Sequence, residues 1–174
     1  NVQEGTDPDN SLKNSVGFDG LHGLYADLRV GRLPNFALIV PSQCNDQHGR
    51  ENAGPLCAFD PKDDGSQEGL NPALIQRSDI TLRNLIDAIK GSTFWHKGRN
   101  AIVVVWDEND YSNAPNTNQV VLIVDTSYGP RGVRSNVRYS HFSLLRSLES
   151  AFRLPCLNHA CDEDVRSMSD LFGS

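Results

Sequence analysis

Residues 101–110, Ala-Ile-Val-Val-Val-Trp-Asp-Glu-Asn-Asp, constrain the fold more than any other stretch. An unbroken, β-branched apolar run stops at Trp106 and gives way to Asp107, Glu108 and Asp110. Such a run predicts a strand buried on both faces of an α/β sheet. Ligands of such sheets gather beyond the carboxyl ends of the strands, where Asp107 and Glu108 stand.

Two further apolar runs have the same character. Residues 36–40, Phe-Ala-Leu-Ile-Val, end at Pro41, and residues 120–124, Val-Val-Leu-Ile-Val, end at Asp125. Between them Ser78-Asp79 predicts a helix start, with Leu82, Leu85, Ile86 and Ile89 forming one apolar stripe before Gly91. Ser140 opens a second helix, with a face of Leu144, Leu145, Leu148 and Phe152, that stops before Pro155. A short helical segment is expected near residues 22–28, inside an irregular lead-in over 1–32, and a last short helix over 164–172. The order predicts an α/β fold, a central mixed, largely parallel sheet flanked by helices, in one domain over 1–174.

At 174 residues and 38% hydrophobic, the chain has enough apolar material for one core. The formal charge of -6 carries no basic stripe, which argues against nucleic acid as a partner. No apolar run approaches the ~20 residues of a membrane span, so no transmembrane segment is expected. The cysteines fall as two close pairs, Cys44 with Cys57 and Cys156 with Cys161, in loop-forming stretches. That spacing suits two local disulfides and a secreted, periplasmic or cell-surface protein, although four cysteines allow three connectivities. Reduced cysteines in a cytosolic protein are the alternative.

If neighbouring strands are parallel, the loop bearing Asn45, Asp46 and His48, the Asp107-Glu108 pair and the start of the helix at Ser140 share one rim of the sheet. His141 extends the stripe of that helix backwards and is expected to point inward. Paired acids after a strand are more often a solvated turn. Here Trp106 leads straight into them, which predicts partial burial, and buried acids need a cation or donors. Plain readings of the histidines are a loop residue for His48 and a cap or core residue for His141; His22, His96 and His159 are read as surface or structural. The acidic loop at 60–65 does not fit a calcium loop, because Lys62 and Asn71 occupy ligand positions.

Residues 33–49 (Leu-Pro-Asn-Phe-Ala-Leu-Ile-Val-Pro-Ser-Gln-Cys-Asn-Asp-Gln-His-Gly), residues 95–110 with Val-Trp-Asp-Glu, and residues 139–152 (Tyr-Ser-His-Phe-Ser-Leu-Leu-Arg-Ser-Leu-Glu-Ser-Ala-Phe) resemble three C-terminal blocks of the phosphoesterase family of phospholipases C and acid phosphatases. Residues 167–172 are similar to its closing segment. The resemblance implies an alkaline-phosphatase-like fold and metal-assisted hydrolysis of phosphate esters. It implies Asp107 and Glu108 as ligands of a divalent metal ion, and Asn45, Asp46 and His48 lining the substrate pocket. His141 would stand beside that pocket, with Asp46, His48 and His141 as the candidates for proton transfer. Residues 1–32 contain neither the metal motif nor the Ser or Thr nucleophile of the family's N-terminal half. The chain therefore resembles the C-terminal half alone, which predicts weak metal affinity, little independent turnover, and a partner that is either the other half or a second copy.

Overall fold

In a computed structural model that describes residues 15–50, 53–58, 71–109 and 117–173, the elements run α1 (Leu24–Val30), α2 (Pro72–Lys90), β1 (Ala101–Val105), β2 (Leu122–Thr126), α3 (His141–Phe152), a 3-10 turn (Asn158–Cys161) and α4 (Ser169–Phe172). They fall into two compact units. One comprises Asn1–Gly98 with Trp106–Val120, the other Arg99–Val105 with Val121–Ser174. The acidic loop at 60–65 and the first 14 residues of the predicted lead-in lie outside the described residues.

The first unit is built on α2. Its start follows from Asn71-Pro72: the Asn71 side chain accepts the Ala73 N–H at 3.0 Å, and Pro72 occupies the first turn, where a missing N–H costs nothing. The helix therefore begins before the predicted Ser78. Ser78 ends up buried inside it, with a hydroxyl that makes no hydrogen bond among the described residues. The predicted stripe does face the core. Leu85 joins Leu24 and Leu28 of α1 in a buried cluster, packed around by Phe18, Tyr25, Leu33, Ile39, Ala88 and Ile89. α1 stops at Gly31, whose φ of 72° is a left-handed conformation that glycine adopts without a steric penalty.

The expected central sheet is not formed. Among the described residues there is one sheet, of two strands, and β1 pairs with β2 antiparallel, in the register Ala101↔Thr126, Val103↔Val124, Val105↔Leu122. This overturns the predicted largely parallel, alkaline-phosphatase-like architecture. A parallel pair needs a crossover, usually helical, whereas no described residue between β1 and β2 is helical and the Asn109 N–H donates to Asn118 Oδ1 at 3.1 Å, bringing the two described ends of the connection together. Asn100 and Ser127 extend the ladder by two further bonds, of 2.9 and 3.0 Å. Residues 36–40 join no strand. Ile39 packs on the core cluster, while Phe36, Leu38 and Val40 alternate outward, with Leu38 79% exposed. The central residues of β1 are only half-buried, because a two-stranded ribbon cannot cover both faces of Ile102, Val103 and Val104.

In the second unit α3 begins where Ser140 predicts, with the Ser140 N–H donating to Ser143 Oγ at 3.2 Å. Its buried residues, however, are Ser143 and Glu149, and the leucine face is only partly covered. The helix uses polar side chains to hold the C-terminal segment. Arg146 Nη1 lies 3.2, 2.9 and 2.8 Å from the carbonyl oxygens of Ala160, Asp162 and Val165. The Leu157 N–H donates to Glu149 Oε1 at 2.9 Å, and the Met168 N–H to Ser147 Oγ at 2.8 Å. Phe142 meets the His159 ring edge to face, with centroids 5.4 Å apart. The expected last helix shrinks to α4, because Arg146 and Ser147 take the carbonyls and the amide that a longer helix would have used internally.

Replacing Arg146 by Met should lower the stability of the second unit by about 1–3 kcal/mol, since three half-buried or exposed carbonyls lose a shared charged donor. Urea unfolding checks this; a loss within about 0.5 kcal/mol, the range of an ordinary surface change, contradicts the clamp.

Candidate functional site

The sharpest local structure around predicted site residues is the loop at 42–49. Cys44 and Cys57 form a disulfide with Cα atoms 4.8 Å apart, and Cys156 pairs with Cys161 at 5.3 Å, so both local pairings hold. The Cys44–Cys57 link closes a loop that backbone bonds draw tighter: Asn45 N–H to Ser42 O at 2.6 Å, Gly49 N–H to Gln43 O at 2.7 Å, and Arg50 N–H to Cys57 O at 2.7 Å. The chain turns through Gln47 at φ 79° and Gly49 at φ 81°. A left-handed glutamine costs on the order of 1–3 kcal/mol, so the surrounding bonds must enforce it.

α2 grips both arms of this loop. At its first turn, Asn71 Nδ2 donates to Pro55 O and Ala58 O, both at 3.0 Å, beside the buried Cys57. Farther along, Arg77 Nε and Thr81 Oγ1 donate to Asn45 Oδ1 at 2.8 and 3.3 Å. Asn45 Nδ2 then donates to Ser42 Oγ at 2.9 Å. Asp46 Oδ1 accepts the His48 N–H at 2.9 Å, an Asx-type turn. His48 Nδ1 lies 2.9 Å from Gly49 O; a carbonyl only accepts, so Nδ1 carries the proton and Nε2 is the basic nitrogen of the neutral ring.

The loop is also tied to the acidic turn after β1. Trp106 Nε1 donates to Gln47 Oε1 at 3.3 Å, within the same unit. Asp107 and Glu108 follow Trp106 and are exposed, against the expected partial burial; the half-buried Trp106 turns its polar edge to Gln47 and leaves the acids in solvent. His141 is likewise exposed at the first position of α3 and belongs to the other unit, so the expectation that it points inward is corrected. The shared sheet rim that placed it with the loop is absent along with the parallel sheet.

The donors after β1 are all oxygen: two carboxylates and Asn109 Oδ1, which is buried and accepts no hydrogen bond among the described residues. Among the described residues no three His, Cys, Asp or Glu side chains gather closely enough to hold a metal ion. Two neighbouring exposed carboxylates and one amide oxygen are too few to hold a dication by themselves.

Sequence reasoning missed Arg77, Thr81, Gln47 and Asn71. The Asn71-Pro72 pair signals a helix start and was legible, whereas nothing in the local pattern marks Arg77 or Gln47. The second unit adds an open groove of 510 Å³, lined by Val137, Tyr139, Arg146, Glu163, Arg166 and Asp170 among others, and by none of the predicted site residues. Tyr139 donates to Asp170 Oδ1 at 2.5 Å. Hydrogen bonds from Ser135 and then Tyr139 hold the Asp170 carboxyl below its usual range, while burial and then the bond to Asp170 push the Tyr139 hydroxyl up.

Both shifts stabilise the second unit between acid and alkaline limits. The Asp170 contribution is present above pH 3.8 and is lost as pH falls through its lowered pKa, and the Tyr139 contribution is present below pH 10.0 and is lost as pH rises through its raised pKa. Thermal unfolding of Tyr139→Phe across pH should therefore show a shallower loss on both limbs than the wild type; superimposable profiles contradict the pair. For the first unit, Cys44→Ser with Cys57→Ser should cost about 3 kcal/mol in urea unfolding, with wild-type stability the contrary result. Among the described residues no helix is long and apolar enough to cross a membrane. In comparison with known proteins, no protein-family model, no curated protein and no solved structure matches this chain.

Proposed function

We propose that this chain takes part in the hydrolysis of phosphate esters, of acid phosphatase or phospholipase C type, and that residues 44–48 with 107–108 are the portion of the site it carries. The observation that carries this reading is the Trp106–Gln47 hydrogen bond of 3.3 Å. It ties the loop bearing Asn45, Asp46 and His48 to the turn bearing Asp107 and Glu108, two segments more than 50 residues apart in sequence. In this reading Asn45 and His48 bind the ester, and Asp46 and His48 are the candidates for proton transfer. Asp107 and Glu108 contribute oxygen ligands to a divalent cation whose other ligands come from outside the described residues. When bound, such a cation would neutralise phosphoryl charge. The His48 ring, with Nδ1 committed to a carbonyl, has the tautomer a base at Nε2 requires. The remaining part of the site comes from the rest of a larger enzyme or from a second copy. The two disulfides favour a secreted, periplasmic or cell-surface setting.

The exposure of Asp107 and Glu108 favours a second reading, a non-catalytic module that binds phosphate-bearing ligands or a partner protein. Turnover separates the two. In the full-length native protein, Asp107→Asn and Glu108→Gln should each reduce hydrolysis of 4-nitrophenyl phosphate by on the order of 10²-fold or more. His48→Ala should cost up to about 10²-fold. Absence of turnover in the native protein favours the binding module, and turnover unchanged in the carboxylate variants removes their assignment as ligands.

A further inference from the structure

Arg77 is exposed on the flank of α2 and uses one donor: Nε donates to Asn45 Oδ1 at 2.8 Å. A guanidinium has five N–H groups in a rigid plane, so this bond orients the other four. Among the described residues they meet no hydrogen-bond acceptor and no carboxylate at ion-pair distance. The contrast on the same helix is Arg83, which pairs with Asp79 at 3.3 Å.

The same contact fixes the amide of Asn45. With Arg77 Nε and Thr81 Oγ1 both donating to Oδ1, the nitrogen must face the other way; one of its N–H groups goes to Ser42 Oγ at 2.9 Å, and the second has no acceptor among the described residues. The nearest acid in sequence, Asp46, is turned back on its own loop by the His48 N–H. An oriented guanidinium and an oriented amide N–H thus adjoin on a loop locked by a disulfide, where little conformational freedom is left to lose on binding.

Resting on the phosphate-ester reading above, we infer that Arg77 and Asn45 form the anion-binding half of this site, with Arg77 presenting its Nη pair to two oxygens of a phosphate monoester and Asn45 donating to a third. Bidentate binding of tetrahedral oxyanions is the use to which a guanidinium fork is best suited. A lysine would keep the charge without the fork and without the Nε contact that holds Asn45.

The test is calorimetric titration of the protein with inorganic phosphate and, separately, with phenyl phosphate and a phosphatidate micelle. Both soluble probes should bind the wild type, and Arg77→Gln should weaken them roughly 10- to 100-fold. Arg77→Lys should fall between, Asn45→Ala should weaken binding as well, and Arg83→Gln should bind as the wild type does. Binding of the micelle alone would assign the site to an aggregated lipid headgroup, not to a free ester, and would overturn the soluble-ester form of the proposal. Wild-type affinity in Arg77→Gln, an equal loss in Arg83→Gln, or no phosphate binding by the wild type would each overturn it entirely. Circular dichroism and urea unfolding of each variant check that the substitutions leave the helices and the unfolding midpoint in place, and affinities are compared only among variants that pass. The two readings fail separately: Arg77-dependent phosphate binding without turnover removes the hydrolase and keeps this site, and turnover indifferent to Arg77→Gln removes the site and keeps the hydrolase.

Discussion

The double grip of α2 on the disulfide-closed loop organises the first unit. One hand is Asn71, which caps its own helix with Oδ1 and holds the Pro55 and Ala58 carbonyls with Nδ2. The other is Arg77 with Thr81, which fixes Asn45. Cys44–Cys57 joins the two grasped arms covalently, so displacing either arm strains the other. Without this arrangement the left-handed Gln47 would relax, and the Trp106 contact that depends on it would go too. Each bond is worth only about 1 kcal/mol alone, but the set shares one backbone segment and acts together.

The chemistry of the loop follows from which groups are spent and which are left. Asn45 has spent its oxygen, His48 has spent Nδ1, and Asp46 has one oxygen turned back on its own turn. What remains directed outward is cationic or hydrogen-bond donating at Arg77 and Asn45. The acids after β1 stand a Trp106–Gln47 contact away, an anion-seeking loop beside a cation-seeking turn. The phosphate-ester proposal rests on this link between a donor-bearing loop and an acidic turn.

Local features were legible in the sequence, and long-range pairing was not. Helix α3 starts at Ser140 and α2 stops at Gly91 because caps act within a turn. Both disulfides join the cysteines that lie close in sequence, the pairing that the spacing favoured among three possible connectivities. The strand assignments failed differently. The runs at 101–105 and, shifted two residues onward from 120–124, at 122–126 are strands, but apolar runs do not carry strand direction, and here the two pair antiparallel. The 36–40 run has the composition of a strand but pairs with none among the described residues, and only Ile39 of it packs on the core. The site suffered from the same error: its expected rim was a property of the parallel sheet, whereas the contacts that do form, Arg77 to Asn45 and Gln47 to Trp106, span 32 and 59 residues and leave no periodic trace.

Amide hydrogen exchange of the oxidised and reduced protein tests the double grip most directly. If the loop belongs to the cooperative unit of α2, the amides of Asn45, Gly49 and Arg50 exchange as slowly as those in the middle of α2 while Cys44 and Cys57 are joined, and far faster once the disulfide is reduced. Fast exchange of these amides in both states, with α2 itself protected, would mean that the loop is not held by the helix and that the site has no rigid frame.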